Sequence, residues 1–219
     1  MEGIHSEVYA NLIDSFITDK KEKLDLFNAI INYPAIKKKA DWCIKYIKSS
    51  DDFRERLIAF AVCEGIFFSG AFCSIFWLKS RGVCPVLGLA NQFIARDEGL
   101  HCDFAVSYYK QFEPLPAETI HRIIMDGVEI ETEFITEALP VRLIGMNDKL
   151  MKEYIQFVAN RLAVQLGTPK PYVASNPFAF MDMICLEGKT NFFEGKVSEY
   201  SFIKERSDEL LKIDFNSDF

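Results

Sequence analysis

LIAFAVCEGIFFSGAFCSIFWL, the run from Leu57 to Leu78, carries one charge, Glu64, in 22 residues. Arg54, Glu55 and Arg56 flank it on one side, and Lys79 and Arg81 on the other. As a helix it reaches roughly 33 Å at ~1.5 Å per residue, enough to cross a bilayer. A helix buried on all sides within a helical protein has the same composition. Glu64 is costly in either setting, because a lone carboxylate is poorly solvated in lipid and in a dry core alike. The neighbouring segments are amphipathic, so the run reads as the central helix of an all-α protein with no membrane span. Glu64 then needs a partner.

Working outward, nearly every segment shows helical period and none shows sustained strand alternation. Helices are expected over about 3–17, 24–33, 37–48, 52–80, 85–112, 117–138 and 148–166. Asp51 or Asp52 caps the fourth. Pro34 interrupts, Pro85 opens a helix, and Pro114, Pro116, Gly167, Pro169 and Pro171 mark loops. From about Gly195 the sequence turns polar. That divides it into a helical bundle over residues 1–194 and a flexible tail over residues 195–219.

Hydrophobic residues make up 49% of the 219, which excludes disorder over most of the length. A net charge of −7 and a pI of about 5.1 argue against a nucleic-acid surface. The six cysteines show no CxxC spacing and sit mainly in apolar stretches, so they read as reduced core thiols of a cytoplasmic protein. The sequence does not open with a basic segment followed by an apolar one, so no secretory signal is expected.

Each of the three histidines has a glutamate three residues before it: Glu2/His5, Glu98/His101 and Glu118/His121. On a helix such a pair points one way and can grip one metal ion. Among 18 glutamates one such match carries little weight; the helical faces discriminate. Ile94, Glu98, His101 and Ala105 fall within a ~60° arc, so Glu98 and His101 face the interior. Glu2, His5 and Tyr9 share a face of the first helix. In the 117–138 helix the core stripe is Ile120, Ile123, Ile124, Val128 and Phe134. Glu118 projects well away from it and His121 lies on its flank, so this third pair is a solvated decoy. Two Glu-x-x-His pairs on two helices plus Glu64 on a third match the ligand pattern of ferritin-like di-iron or di-manganese bundles. These ligand types suit iron or manganese.

Beyond the ligands, the sequence resembles the small, radical-generating subunit of class I ribonucleotide reductase, nearest to its eukaryotic and viral branch. Glu2-Gly-Ile-His-Ser-Glu-Val-Tyr9, Glu64-Gly-Ile-Phe-Phe-Ser-Gly-Ala-Phe72 and Ala95-Arg-Asp-Glu-Gly-Leu-His-Cys-Asp103 are similar to the family's three ligand segments. Leu143-Ile-Gly-Met-Asn147, Asn176-Pro-Phe178, Lys189-Thr-Asn-Phe-Phe-Glu194 and Asp214-Phe-Asn-Ser-Asp-Phe219 extend the likeness over almost the whole length. The resemblance implies a di-iron centre, with manganese as the alternative metal, held by Glu2, His5, Glu64, Glu98 and His101. It makes Tyr9 the radical site, Phe68, Phe72 and Ile94 its apolar pocket, and Asp97 the hydrogen-bond partner of His5. Tyr200 would pass the radical onward, and Ile213, Phe215, Asp218 and Phe219 would dock the tail on the large subunit. A homodimer is implied as well.

The family also carries a fourth carboxylate, and a tryptophan paired with Asp97, upstream of the first Glu-x-x-His. Neither has a counterpart here, and Trp42 and Trp77 do not match that tryptophan. The expectation is therefore a bundle truncated at its N-terminus, with apolar surface exposed. Glu2, Glu64 and Glu98 would leave one positive charge of two Fe²⁺ ions uncompensated. The function expected is the small subunit of a ribonucleoside-diphosphate reductase. The alternatives are a truncated, non-catalytic interaction protein and a different di-metal carboxylate oxidase.

Overall fold

A computed structural model describes residues 1–49, 52–138 and 145–182. Every regular element among them is a helix: α1 (Glu2–Phe16), α2 (Lys20–Phe27), α3 (Ala29–Asn32), α4 (Pro34–Ser49), α5 (Phe53–Gly65), α6 (Ser69–Ser80), α7 (Pro85–Tyr109), α8 (Ala117–Ala138) and α9 (Asp148–Gln165). The all-α expectation holds. Residues Met1–Phe178 form one compact unit, which contains every element used below. The expected boundary at 194/195, the motif at Lys189–Glu194 and the tail lie outside the described residues, as do Leu143 and Ile144 of the Leu143–Asn147 motif.

The helix ends follow from local chemistry. Asp19 starts α2 by accepting from the backbone N–H groups of Lys21 and Glu22, and Asp52 starts α5 by accepting from Arg54. Pro34 and Pro85 open α4 and α7, where a missing N–H costs nothing. At the end of α9, Gly167 takes φ +85°. There Gly167 N–H donates to Val164 O and Thr168 N–H to Ala163 O, which satisfies two terminal carbonyls.

α5 is the central helix and touches α4, α7, α8 and α9. Ile58, Ala61 and Val62 are fully enclosed, against a core that includes Ile123 and Ile124 of α8 and Ile155 of α9. Each large aliphatic group there is worth about 1.5–3 kcal/mol of burial. Gly127 lets α8 approach closely: a Cβ there would stand 2.4 Å from Val62 Cγ1. Half of the residues in the 57–78 run are buried in this core.

The periodicity predicts one helix from about 52 to 80; the backbone instead breaks between Gly65 and Ser69. The N–H groups of both Ile66 and Phe67 donate to Val62 O, the second across five residues. Ser69 then restarts the helix, its N–H and Oγ both donating to Ile66 O. A one-residue widening of the turn of this kind leaves no trace in an all-apolar pattern. Apolar side chains also remain on the surface, among them Ile4 and Phe16 of α1, Ile30 and Ile31 of α3, and Leu100 and Phe104 of α7.

Candidate metal centre

Three helices bring five side chains together. α1 supplies Glu2 and His5, α5 supplies Glu64 one residue before its end, and α7 supplies Glu98 and His101. Glu98, with only 3% of its surface exposed, occupies the middle. Its Oε1 lies 2.9 Å from His5 Nδ1 and its Oε2 lies 2.9 Å from His101 Nδ1. Glu64 Oε2 is 3.3 Å from His101 Nδ1. Glu2 Oε1 stands 3.6 Å from His5 Nδ1 and 3.5 Å from His101 Nδ1. The Glu2 side chain is 68% exposed, so the cluster is open on that side. The i, i+3 spacing that the face argument relied on is what aims both pairs at one point.

The electrostatics leave a positive charge wanting. Burial, with Glu98 beside it, pushes the Glu64 carboxyl up to about 8, so the cluster tends to hold a proton. Burial pulls His101 down, but its bonds to Glu98 and Glu64 outweigh that and raise it. A divalent cation would offset two of the three carboxylate charges and take the place of that proton.

His5 supplies the test of whether a metal fits. The half-buried Asp97 carboxylate sits 3.2 Å from His5 Nε2. Burial raises Asp97, but hydrogen bonds from His5 and Arg96 outweigh it, so the carboxyl stays below its usual range and ionised. An ionised acceptor places the imidazole proton on Nε2 and leaves a lone pair on Nδ1. That Nδ1 is buried without an aligned hydrogen bond, despite its short distance to Glu98. A buried imidazole lone pair beside carboxylates is a metal ligand's environment. Hard carboxylates with imidazole suit iron or manganese.

Tyr9 follows His5 by one turn on α1 and is half-buried. Burial and the nearby Glu98 charge push its phenol up to about 12. Of the three expected pocket residues, Ile94 is buried, Phe72 is half-buried, and Phe68 is 39% exposed. Phe68 and Phe72 stack on one another at 5.7 Å. Phe68 lies in the α5–α6 break and is the most exposed of the three. His121 is apart from the cluster, its ring Nε2 bonded to Pro169 O at 2.9 Å; Glu118 is exposed. Tyr200, Ile213, Phe215, Asp218 and Phe219 lie outside the described residues.

Sequence reasoning missed the support of this site. Glu131 of α8 is fully buried and ion-paired with Lys39 of α4. Lys39 Nζ also donates to Phe67 O at 2.7 Å and lies 3.5 Å above the Phe134 ring. Glu131 Oε1 accepts from Gly70 N–H at 3.0 Å. The pair therefore holds both sides of the break that follows Glu64. A signal was present: Glu131 lies three residues after Val128 and four before Ile135, on the core stripe itself. Trp42 serves the same region, donating to Asp126 at 2.9 Å and packing edge-on against Phe67.

A family model described as ribonucleotide reductase, small chain, matches residues 1–177. A ribonucleoside-diphosphate reductase small chain of Arabidopsis thaliana is 57% identical over 201 residues, a match that covers 91% of the present sequence and 59% of the plant protein. The ribonucleoside-diphosphate reductase small chain of Vaccinia virus (strain Ankara) is 55% identical over 220 residues, covering 100% of the present sequence and 69% of the viral one. Among solved structures, the ribonucleotide reductase Rnr4 homodimer from Saccharomyces cerevisiae superposes with a TM-score of 0.75 at 40% identity, over 92% of the present protein and 62% of the yeast one. The 219 residues thus span about three fifths to two thirds of the length of these relatives.

Proposed function

The chain belongs to the ribonucleotide reductase small-chain family, and from that premise we propose that it generates the oxidant for a ribonucleoside-diphosphate reductase. In this reading Glu2, His5, Glu64, Glu98 and His101 hold a di-iron centre, or its manganese counterpart. The observation that carries it is Glu98, whose two oxygens each face one imidazole while His5 keeps a buried, unbonded Nδ1. When bound, the metals supply the capacity to react with dioxygen and remove an electron from a nearby donor.

The protein's own residues set the conditions. Asp97 holds the His5 proton on Nε2, so Nδ1 faces the centre as a base. Glu98 separates the two imidazoles and supplies charge to both. Tyr9, kept as a neutral phenol by its raised pKa, must release its proton together with its electron. Its half-burial limits access of water. The tail completes the proposal: Ile213, Phe215, Asp218 and Phe219 dock on the large subunit, where ribonucleotides are reduced, and Tyr200 relays the oxidising equivalent. Apolar anchors spaced by polar residues suit capture in a groove. The protein works as a homodimer in the cytoplasm.

Mn²⁺ titration of the protein tests the centre. Glu98→Gln is expected to weaken binding by at least about tenfold, since a charged oxygen facing each imidazole is lost. Unchanged binding would sink the assignment. After Fe²⁺ and dioxygen, any tyrosyl signal in paramagnetic resonance should vanish in Tyr9→Phe while metal content persists. A peptide of residues 213–219 should compete for the large subunit, and its Phe219→Ala form about tenfold less well.

A further inference from the structure

We propose that Cys43 of α4 and Cys63 of α5 form a thiol-modification site, a dithiol that a hydroperoxide converts to a disulfide beside the metal centre. In the sequence they read as separate core thiols. The fold places their Sγ atoms 2.8 Å apart, across the α4–α5 packing contact. Two non-bonded sulfurs this close need little movement to join, since a disulfide bond is about 2.05 Å long. Both thiols are half-buried and within reach of a small oxidant, whereas Cys73 and Cys102 are buried. Cys102 in addition donates to Ala61 O.

The pair has a nucleophilic member. Lys39 lies one turn before Cys43 on α4. The hydrogen bond from Cys63, with the Lys39 ammonium adding, outweighs burial and holds Cys43 below the ordinary cysteine range. Cys63, 2.8 Å away, is the resolving thiol of the pair. The reaction then has an order. The Cys43 thiolate attacks one oxygen of the peroxide; the S–O bond forms, the O–O bond breaks, and hydroxide leaves and takes up a proton as water. Cys63 sulfur next attacks the Cys43 sulfenic sulfur; the S–S bond forms, the S–O bond breaks, and a second water departs with the Cys63 proton. Two thiols lose two electrons in total and one hydrogen peroxide is reduced to two waters. Because Cys63 immediately precedes Glu64, the crosslink fastens the ligand-bearing end of α5 to α4.

The test treats the reduced 219-residue protein with a few equivalents of hydrogen peroxide and follows it by mass spectrometry after digestion. The expected product is one linked peptide pair joining Cys43 to Cys63, two hydrogens lighter and cleaved by dithiothreitol. It should form roughly ten times faster than Cys73 or Cys102 is modified, in line with exposure and thiolate character. Closing a loop of 20 residues should raise the thermal midpoint by roughly 6–12 °C in the oxidised form. In Cys63→Ser, Cys43 should stop at sulfenic or sulfinic acid with no link and no such rise. Two results would overturn the proposal: wild-type Cys43 reaching sulfinic acid without a crosslink, or crosslinks forming preferentially among the other cysteines.

Discussion

Replacing Lys39 by methionine tests the buried pair that braces the candidate metal centre. Methionine keeps much of the stem and removes the ammonium that serves Glu131, Phe67 O and the Phe134 ring. Glu131, with none of its surface exposed, is then left among the described residues with the Gly70 N–H as its hydrogen-bond donor. Stranding a buried charge costs about 3–5 kcal/mol, a large share of the roughly 5–15 kcal/mol that holds a domain folded. The carboxyl has an escape, which is to take a proton. Burial already lifts its pKa from 4.5 to about 7 with Lys39 opposing the shift; without Lys39 it climbs further. A folded-state pKa above the unfolded one means the folded protein keeps a proton that the unfolded one releases. Stability therefore falls as pH rises from about 4.5 through about 7 and beyond. At pH 5.5 the variant should lose about 1–2 kcal/mol, chiefly the donor to Phe67 O. At pH 8.5 it should lose about 3–5 kcal/mol. Urea unfolding followed by far-ultraviolet circular dichroism at the two pH values measures both. Lys39→Met with Glu131→Gln, which keeps an acceptor for Gly70, should recover most of the loss at pH 8.5. Equal losses at both pH values, or less than about 1 kcal/mol at pH 8.5, would refute the reasoning.

Three further outcomes follow from the geometry. His5→Ala and His101→Ala should each lower bound Mn²⁺ or Fe²⁺ by elemental analysis, while His121→Ala, whose ring serves only Pro169 O among the described residues, should leave metal content level. Asp97→Asn should weaken metal binding roughly 10–100-fold by freeing the His5 tautomer, read by Mn²⁺ titration. Gly127→Ala would drive a methyl into Val62 and should cost about 1–3 kcal/mol in urea unfolding with metal-binding stoichiometry retained.

That Glu98 and His101 share one inward face was legible because its evidence is local. A 3.6-residue period fixes which side chains share a face, so Glu98 and His101 could be assigned inward and Glu118 outward from numbering alone. The helical class was legible for the same reason. The break at Gly65–Ser69 was not, since shifting the backbone by one bond changes no apolar residue to a polar one. Nor was the Lys39–Glu131 pair, whose members stand 92 positions apart. Glu131 falls on the core stripe of α8, but a stripe defined by apolar residues passes over a charged one. Cys43 and Cys63 illustrate the same limit: each looks like ordinary packing until two helices are laid side by side.

That break has an electrical consequence. An unbroken helix from Phe53 to Ser80 would carry one macrodipole with its poles far from the middle. Interrupting it creates two new poles in the core, a negative one where α5 ends and a positive one where α6 begins. Lys39 sits at the first through Phe67 O, and Glu131 sits at the second through Gly70 N–H. Each ion is thus solvated twice, by its counter-ion and by a helix terminus of opposite sign, which is how two charges persist in a dry interior. The arrangement has a polarity. Exchanging the two residues would preserve their mutual attraction and set both against like poles, so the pair can be read in one direction only.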